Sequence, residues 1–173
     1  MTASVIDRIP SEIDRRIAAL AAVAVGLTLV EAVIPLPLPG VKPGLANIVT
    51  LIVLWRWGWG AAAWVTLLRI VAGALALGTF LTPTFVLSFS GGIASLLMLA
   101  LASRLPRRWF GPVSLSLLAS FAHIAAQLGV ANGWLMPAVN LMGLLPIFLS
   151  VAWLTGLANG LIVASLMNSK PSA

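Results

Sequence analysis

The sequence WGAAAWVTLLRIVAGALALGTF, residues 59–80, decides the fold that we predict for this chain. Its 22 residues are enough to cross the hydrocarbon core of a bilayer as a helix, at about 1.5 Å per residue. Its one charged residue, Arg69, lies at the centre. A mid-span arginine costs at least about 2.5–3.5 kcal/mol to insert and usually faces a bundle interior or a watery cavity. Arg69 is therefore either a structural residue held by carbonyls or one acidic partner, or part of a ligand or ion site.

Composition places the whole chain in the membrane class. Of its 173 residues, 61% are hydrophobic and 8% are charged, whereas a soluble domain carries about 25% charged residues. We expect a multi-pass protein of the inner (cytoplasmic) membrane whose surface contacts lipid. The net charge of +6 does not indicate nucleic acid, because the cations lie at the ends of apolar runs. The absence of cysteine excludes disulfides, thiolate metal sites and cysteine nucleophiles, and we predict neither a cofactor nor a metal.

The apolar runs predict an all-α bundle of six transmembrane helices. The runs are Ile17–Ile34, Leu45–Trp55, Trp59–Phe80, Phe85–Ser103, Pro112–Asn132 and Ile147–Met167. The second run is too short to span alone, so it either extends through Arg56 and Trp57 or begins as a loop dipping into the protein. Residues 35–44, PLPLPGVKPG, predict an extended connector because four prolines exclude a helix. Residues 133–146 are predicted to form a linker or a partly inserted hairpin.

The distribution of cations predicts the orientation of the bundle. With six spans, eight cations lie on one side: Arg8, Arg15, Arg16, Arg56, Arg104, Arg107, Arg108 and Lys170. The other side carries Lys42. Because positive residues are enriched on the cytoplasmic side, both termini should be cytoplasmic. The predicted organisation is a cytoplasmic segment at 1–16, a single six-helix domain at 17–167 and a cytoplasmic tail at 168–173.

A row of small residues follows one face of the first span. Ala18, Ala22 and Gly26 repeat at four-residue spacing, which lets another helix approach closely. The row serves either packing within this bundle or docking to a different membrane subunit.

Polar side chains converge on the outer half of the predicted bundle. Apolar walls with a few placed polar groups are the usual composition of a small-ligand site. The candidate ligand-binding residues are Glu31, Lys42, Asn47, Arg69, Thr79, Ser88, His123, Gln127 and Asn159. Three interpretations of His123 stay open: a structural histidine, a ligand contact and a proton relay. Asn159 is equally compatible with helix packing and with ligand binding.

Enzymatic functions are disfavoured by the residues that the chain lacks. A prenyl synthase of the usual kind needs aspartate-rich clusters to hold magnesium and diphosphate, but no aspartate follows Asp14. The sequence contains no Walker loop, GxSxG elbow or Rossmann glycine pattern. We therefore expect a non-enzymatic protein that takes any energy source from a partner or a gradient.

Four motifs together resemble the Gx transporter family, also labelled heptaprenyl diphosphate synthase component I. They are VKPGLANIVTL (41–51), LLRIVAGALALGTFLTPTFVLSFSGG (67–92), AHIAAQ (122–127) and LTGLANG (154–160). That family is in turn similar to the substrate-binding S components of energy-coupling-factor transporters, which have six helices and both termini inside. The resemblance implies that the small residues at 18, 22 and 26 contact a coupling transmembrane subunit that works with ATPases. It also implies an association with prenyl synthases or flavin-based electron-transfer proteins.

Two functional hypotheses follow. The first is a binding and transport subunit that takes a small anionic, vitamin-like or isoprenoid-like ligand from the outer face. Arg69 and Lys42 would neutralise the anion, with Glu31 as the acid within the membrane that competes for Arg69. The second is a non-catalytic membrane subunit of a quinone, prenyl-diphosphate or flavin-based electron-transfer system, with a flavoprotein or prenyl synthase as its partner.

Overall fold

The computed structural model describes residues 11–33, 44–105, 110–137 and 141–168, and these residues form no β-strand. They contain six α-helices: α1 (Glu12–Val33), α2 (Leu45–Trp57), α3 (Trp59–Ala76), α4 (Pro83–Ala102), α5 (Pro112–Val130) and α6 (Leu145–Asn168). Five of them are long and apolar enough to cross a membrane, and α2 is a shorter apolar helix. The all-α prediction is confirmed, as is the shortness of the second run.

Local sequence explains where several helices begin. The Ser11 hydroxyl accepts a hydrogen bond from the Asp14 amide at 3.1 Å, and the Asp14 carboxylate accepts one from the Ser11 amide at 3.0 Å. This reciprocal cap starts α1 five residues before the predicted span, at Glu12. Pro83 and Pro112 open α4 and α5, where a missing amide hydrogen costs nothing.

The end of α3 differs from the prediction. The helix stops at Ala76 rather than continuing to Phe80, because Gly78 adopts a left-handed conformation with φ of 66°. The Thr82 hydroxyl then donates to the Thr79 carbonyl at 2.6 Å and closes the turn into α4. Leu81 also has a positive φ of 61°. Thr79 is therefore a turn residue at the mouth of the bundle and not part of a helix.

After α5, the chain keeps helical form through a π-helical turn at Ala131–Leu135, and a short 3₁₀ helix at Leu141–Leu144 precedes α6. The predicted linker at 133–146 is thus partly helical, and its residues 138–140 lie outside the described residues.

The short helix α2 lies at the centre of the bundle, where it contacts α1, α3, α5 and α6. Thr50 on α2 and Thr66 on α3 share a buried hydrogen bond of 3.1 Å. The main apolar cluster surrounds the C-terminal part of α2, and it comprises Ala21, Ala24, Val49, Leu51, Val53, Leu54, Ala62, Val65, Leu99, Ala102, Leu115, Ala119 and Val163. These residues come from the middle of α1, from α2, from the C-terminal halves of α4 and α6 and from the N-terminal halves of α3 and α5. One end of the bundle is therefore closely packed.

The small-residue row of α1 faces away from the bundle. Ala18, Ala22 and Gly26 are exposed, whereas the buried face of α1 carries Ala21, Ala24 and Glu31. A Cβ atom added at Gly26 would meet nothing within 4 Å. The row therefore does not serve packing within the described bundle.

Candidate functional site

A cavity of about 280 Å³ lies at the end of the bundle opposite the packed cluster. Its position follows from the length of α2, whose 13 residues extend about 20 Å against a hydrocarbon core of about 30 Å. The longer helices α1, α3, α5 and α6 continue past the first turn of α2 and enclose the space that it leaves. Together with Gly44 and Asn47 at the start of α2 and residues of α4, they line the cavity.

Eight of the nine side chains predicted to bind a ligand line this one cavity. They are Glu31, Asn47, Arg69, Thr79, Ser88, His123, Gln127 and Asn159. The ninth, Lys42, lies outside the described residues, as does most of the predicted connector. The structure thus brings together residues that are up to 128 positions apart in the chain, since Glu31 and Asn159 meet at one cavity. Ligand binding by these side chains stays a prediction.

Arg69 is almost completely buried at the inner end of the cavity, with 8% of its surface exposed. One terminal nitrogen, Nη2, donates to the Asn47 side-chain oxygen at 2.7 Å. The Nε–H group, also buried, has no hydrogen-bond partner among the described residues. A buried donor without an acceptor costs about 1–3 kcal/mol, and more when it is charged. Arg69 therefore lines the cavity and carries a buried donor that has no partner among the described residues.

Glu31 is the buried acid of the cavity, with 4% of its surface exposed. Its Oε1 atom accepts a hydrogen bond from the backbone amide of Leu45, the first residue of α2. The first amides of a helix carry partial positive charge and lack helical acceptors, so a carboxylate is favoured there. The negative charge of Glu31 also acts on the Arg69 guanidinium through electrostatic attraction. Glu31 thus caps α2 and lies within reach of the charge of Arg69.

A contact from α6 completes the support for the start of α2. Gly44 precedes the helix with a left-handed φ of 72°, a conformation that favours glycine. Its carbonyl oxygen accepts a hydrogen bond from the Asn159 side-chain nitrogen at 3.1 Å. A Cβ atom at Gly44 would lie 3.0 Å from the Asn47 side-chain nitrogen. Asn159 therefore holds two helices together, as the packing interpretation predicts, and it also lines the cavity.

His123 on α5 also lines the cavity. Its Nδ1 atom lies 3.3 Å from the Ser95 hydroxyl, which itself donates to the Ala119 carbonyl at 2.9 Å. The imidazole is packed so closely against α4 that a Cβ atom at Gly91 would lie 2.7 Å from it. The ring also lies within reach of the positive charge of Arg69. These contacts hold His123 in one place and support the structural interpretation, while its ring still borders the cavity.

The outer wall of the cavity is mostly apolar. Its larger side chains are Leu77, Phe85, Leu128, Met136 and Phe148. Charged groups at the inner end and an apolar outer wall suit a ligand with a polar head and an apolar body.

Four further polar residues line the cavity, and they are not among the predicted ligand residues: Thr28, Thr84, Ser120 and Thr155. The Thr28 and Thr155 hydroxyls donate to carbonyls of their own helices, at 2.9 Å each. Helical spacing is the signal that finds two of them, because Thr28 precedes Glu31 by three residues and Ser120 precedes His123 by three.

The chain belongs to the family described as heptaprenyl diphosphate synthase component I, whose model matches residues 20–166. This match includes α2 to α5 in full, most of α1 and α6, and every residue named above as a cavity residue. Among curated proteins and among solved structures, none matches the chain.

The role of Asn47 as the acceptor for Arg69 is testable by substitution. Asn47→Ala should lower the free energy of unfolding by about 1–3 kcal/mol, because it leaves a second buried donor of a charged group unsatisfied. Asn47→Asp restores an acceptor and should recover that stability. Thermal unfolding of the purified protein in detergent, followed by tryptophan fluorescence, measures both. Asn132→Ala is the matched control, since Asn132 lies on the π-helical turn and does not line the cavity. Equal stability of Asn47→Ala and Asn132→Ala would contradict the role assigned to Asn47.

Proposed function

We propose that this protein is an integral membrane binding and transport subunit that captures a small anionic organic ligand from the outer face. The observation that carries the proposal is the buried Nε–H group of Arg69, a residue that lines the cavity, since this group lacks a partner among the described residues. A carboxylate or phosphate oxygen supplies the missing acceptor through a charge-assisted hydrogen bond, which is stronger than a neutral one. We therefore assign Arg69 to the ligand site.

The remaining cavity residues supply orientation and fit. His123, Gln127, Thr79 and Ser88 offer hydrogen-bonding groups along the walls. The apolar outer wall accommodates the body of the ligand, which we infer to be vitamin-like or isoprenoid-like in its mixture of a polar head and an apolar remainder.

The charge distribution supports access from outside the cell. Arg15 and Arg16 lie at the start of α1, whereas the cavity residues of α1 lie near its end. Arg56 lies in the last turn of α2, and the cavity borders its first turn. Because cations are enriched on the cytoplasmic side of membrane proteins, we infer that the packed end and both termini face the cytoplasm. The cavity then opens toward the outer face of the inner membrane.

In this proposal, transport requires a partner subunit. Two observations support such a partner. The described chain presents Ala18, Ala22 and Gly26 on an exposed face of α1, where a partner helix can approach closely. The family description names a component, which implies at least one other subunit. We propose a non-catalytic chain of the S-component kind, with a coupling transmembrane subunit and its ATPases as the source of energy.

The family description favours a second candidate function. A component of a prenyl diphosphate synthase would hold a prenyl synthase, or a flavoprotein of an electron-transfer system, at the same face of α1. The cavity would then bind the diphosphate or quinone headgroup of a substrate shared with that partner. The two candidates differ in the identity of the partner and share the anion site at Arg69.

Substitution of Arg69 tests the ligand site. Arg69→Ala should weaken binding of benzoate or phenyl phosphate at least about tenfold, because it removes a buried charge-assisted hydrogen bond. Arg69→Lys should keep weak binding, since lysine supplies charge without the planar guanidinium. Ligand-dependent thermal shift in neutral-lipid nanodiscs measures both, with benzyl alcohol as the uncharged match. Arg56→Ala, at the packed end, is the control. Unchanged anion binding in a folded Arg69→Ala protein would contradict the proposal.

The partner face is tested separately. Ala22→Leu should abolish copurification of the partner subunit from native membranes, because leucine prevents close helix approach. Ala125→Leu, at an exposed position on α5, is the matched control and should retain the partner. Mass spectrometry of the retained subunit separates the two candidate functions: a transmembrane subunit with ATPases supports the first, and a prenyl synthase or flavoprotein supports the second. If both variants retain the partner equally, the partner docks at a surface other than this face of α1.

A further inference from the structure

We propose that anion binding in this cavity is coupled to the uptake of one proton by Glu31. The inference rests on the proposed function, because it requires that an anion binds at Arg69. It adds a second bound species, the proton, and a residue that accepts it.

The charge balance of the described cavity is the first step. Arg69 and Glu31 are 8% and 4% exposed and line the same cavity. A guanidinium stays protonated in proteins, so the Glu31 carboxylate is the charge that balances it. The Leu45 amide donates to this carboxylate, and the opposite charges of Glu31 and Arg69 attract each other. Before a ligand enters, the charges of this pair sum to zero.

An anion disturbs this balance. Among the described charged groups of the cavity, its charge would leave one negative charge uncompensated in the interior of a membrane bundle, which is costly. A proton added to a Glu31 oxygen restores neutrality, because Arg69 then pairs with the ligand and Glu31 becomes a neutral acid. This outcome leaves two buried charges, the same number as in the empty cavity. The anion thus takes over the role of the Glu31 charge.

The local contacts of Glu31 are compatible with both protonation states. A protonated carboxyl keeps an acceptor oxygen for the Leu45 amide and gains an O–H donor toward the cavity. The cap on α2 therefore survives protonation, and α2 need not move.

The other charged and titratable groups at the described cavity are few. Besides Glu31, the cavity is lined by Arg69 of α3 and His123 of α5. The helices α2, α4 and α6 contribute uncharged polar side chains, those of Asn47, Ser88 and Asn159. His123 is the competing proton acceptor. Its protonation would leave four charges at the cavity instead of two, and would add a cation within reach of the charge of Arg69, in a ring packed against Gly91. Glu31 is the less costly site.

The test is titration calorimetry of benzoate into the full-length protein in neutral-lipid nanodiscs, in two buffers of different ionisation enthalpy. Benzoate stays an anion across the range from about pH 6 to about pH 8, so the protein supplies any proton linkage. We expect the protein to take up nearly one proton for each benzoate that it binds. Its apparent affinity for benzoate should therefore weaken by up to about tenfold for each unit by which the pH rises. Benzamide, the neutral counterpart, should bind without proton uptake.

Variants identify the acceptor. Glu31→Gln keeps an oxygen for the Leu45 amide, so its fold should survive, which its unfolding temperature verifies. It should bind benzoate without proton uptake and more tightly than the wild type at about pH 8, because no charge remains to compete for Arg69. The His123→Gln and Lys42→Met variants should still take up a proton for each benzoate that they bind.

The outcomes separate this inference from the proposed function. Benzoate binding without proton uptake in the wild type overturns the inference and leaves the anion site in place. Uptake that persists in Glu31→Gln, or that disappears in His123→Gln or Lys42→Met, also overturns it. Failure of the wild type to bind benzoate and phenyl phosphate at all overturns the proposed anion site, and the inference with it.

Discussion

The start of α2 is the point on which the rest of the structure depends. Its first amide donates to Glu31 of α1, its preceding carbonyl accepts from Asn159 of α6, and its first turn carries the Asn47 acceptor for Arg69 of α3. In a membrane bundle, the free amides of a helix that begins within the protein need acceptors from neighbouring helices. The groups that satisfy this helix end are the same polar groups that line the cavity.

This arrangement divides the bundle into two parts with different roles. Around the C-terminal part of α2, apolar side chains such as Val53, Val65 and Leu99 are packed with almost no exposure. Beyond its N-terminus, the longer helices enclose a space bordered by Arg69 and Glu31. The packed part fixes the positions of the helices, and the helices in turn hold the cavity residues in place. A short central helix is thus the physical reason that one chain of this size contains both a rigid core and an internal site.

Much of this architecture can be predicted from residue patterns, although its energetics cannot. Apolar runs predict six helices, and depth along them predicts that eight of the candidate ligand residues meet. The end of α3 is missed because the left-handed conformation of Gly78 depends on the turn around it, and a glycine at that position is compatible with a continuing helix. The partners of individual side chains are also beyond the sequence: that Arg69 binds Asn47, and that Glu31 binds the amide of Leu45, depends on where α2 begins in three dimensions.

The central claim is that Arg69 keeps a donor available for a ligand in an internal cavity. An experimental density map of the protein purified from its native membrane tests this claim most directly. We expect non-protein density in the cavity, with one atom about 3 Å from the Arg69 Nε atom. A map in which that nitrogen donates to Glu31 or another protein group, while side chains fill the space beyond the first turn of α2, would contradict it.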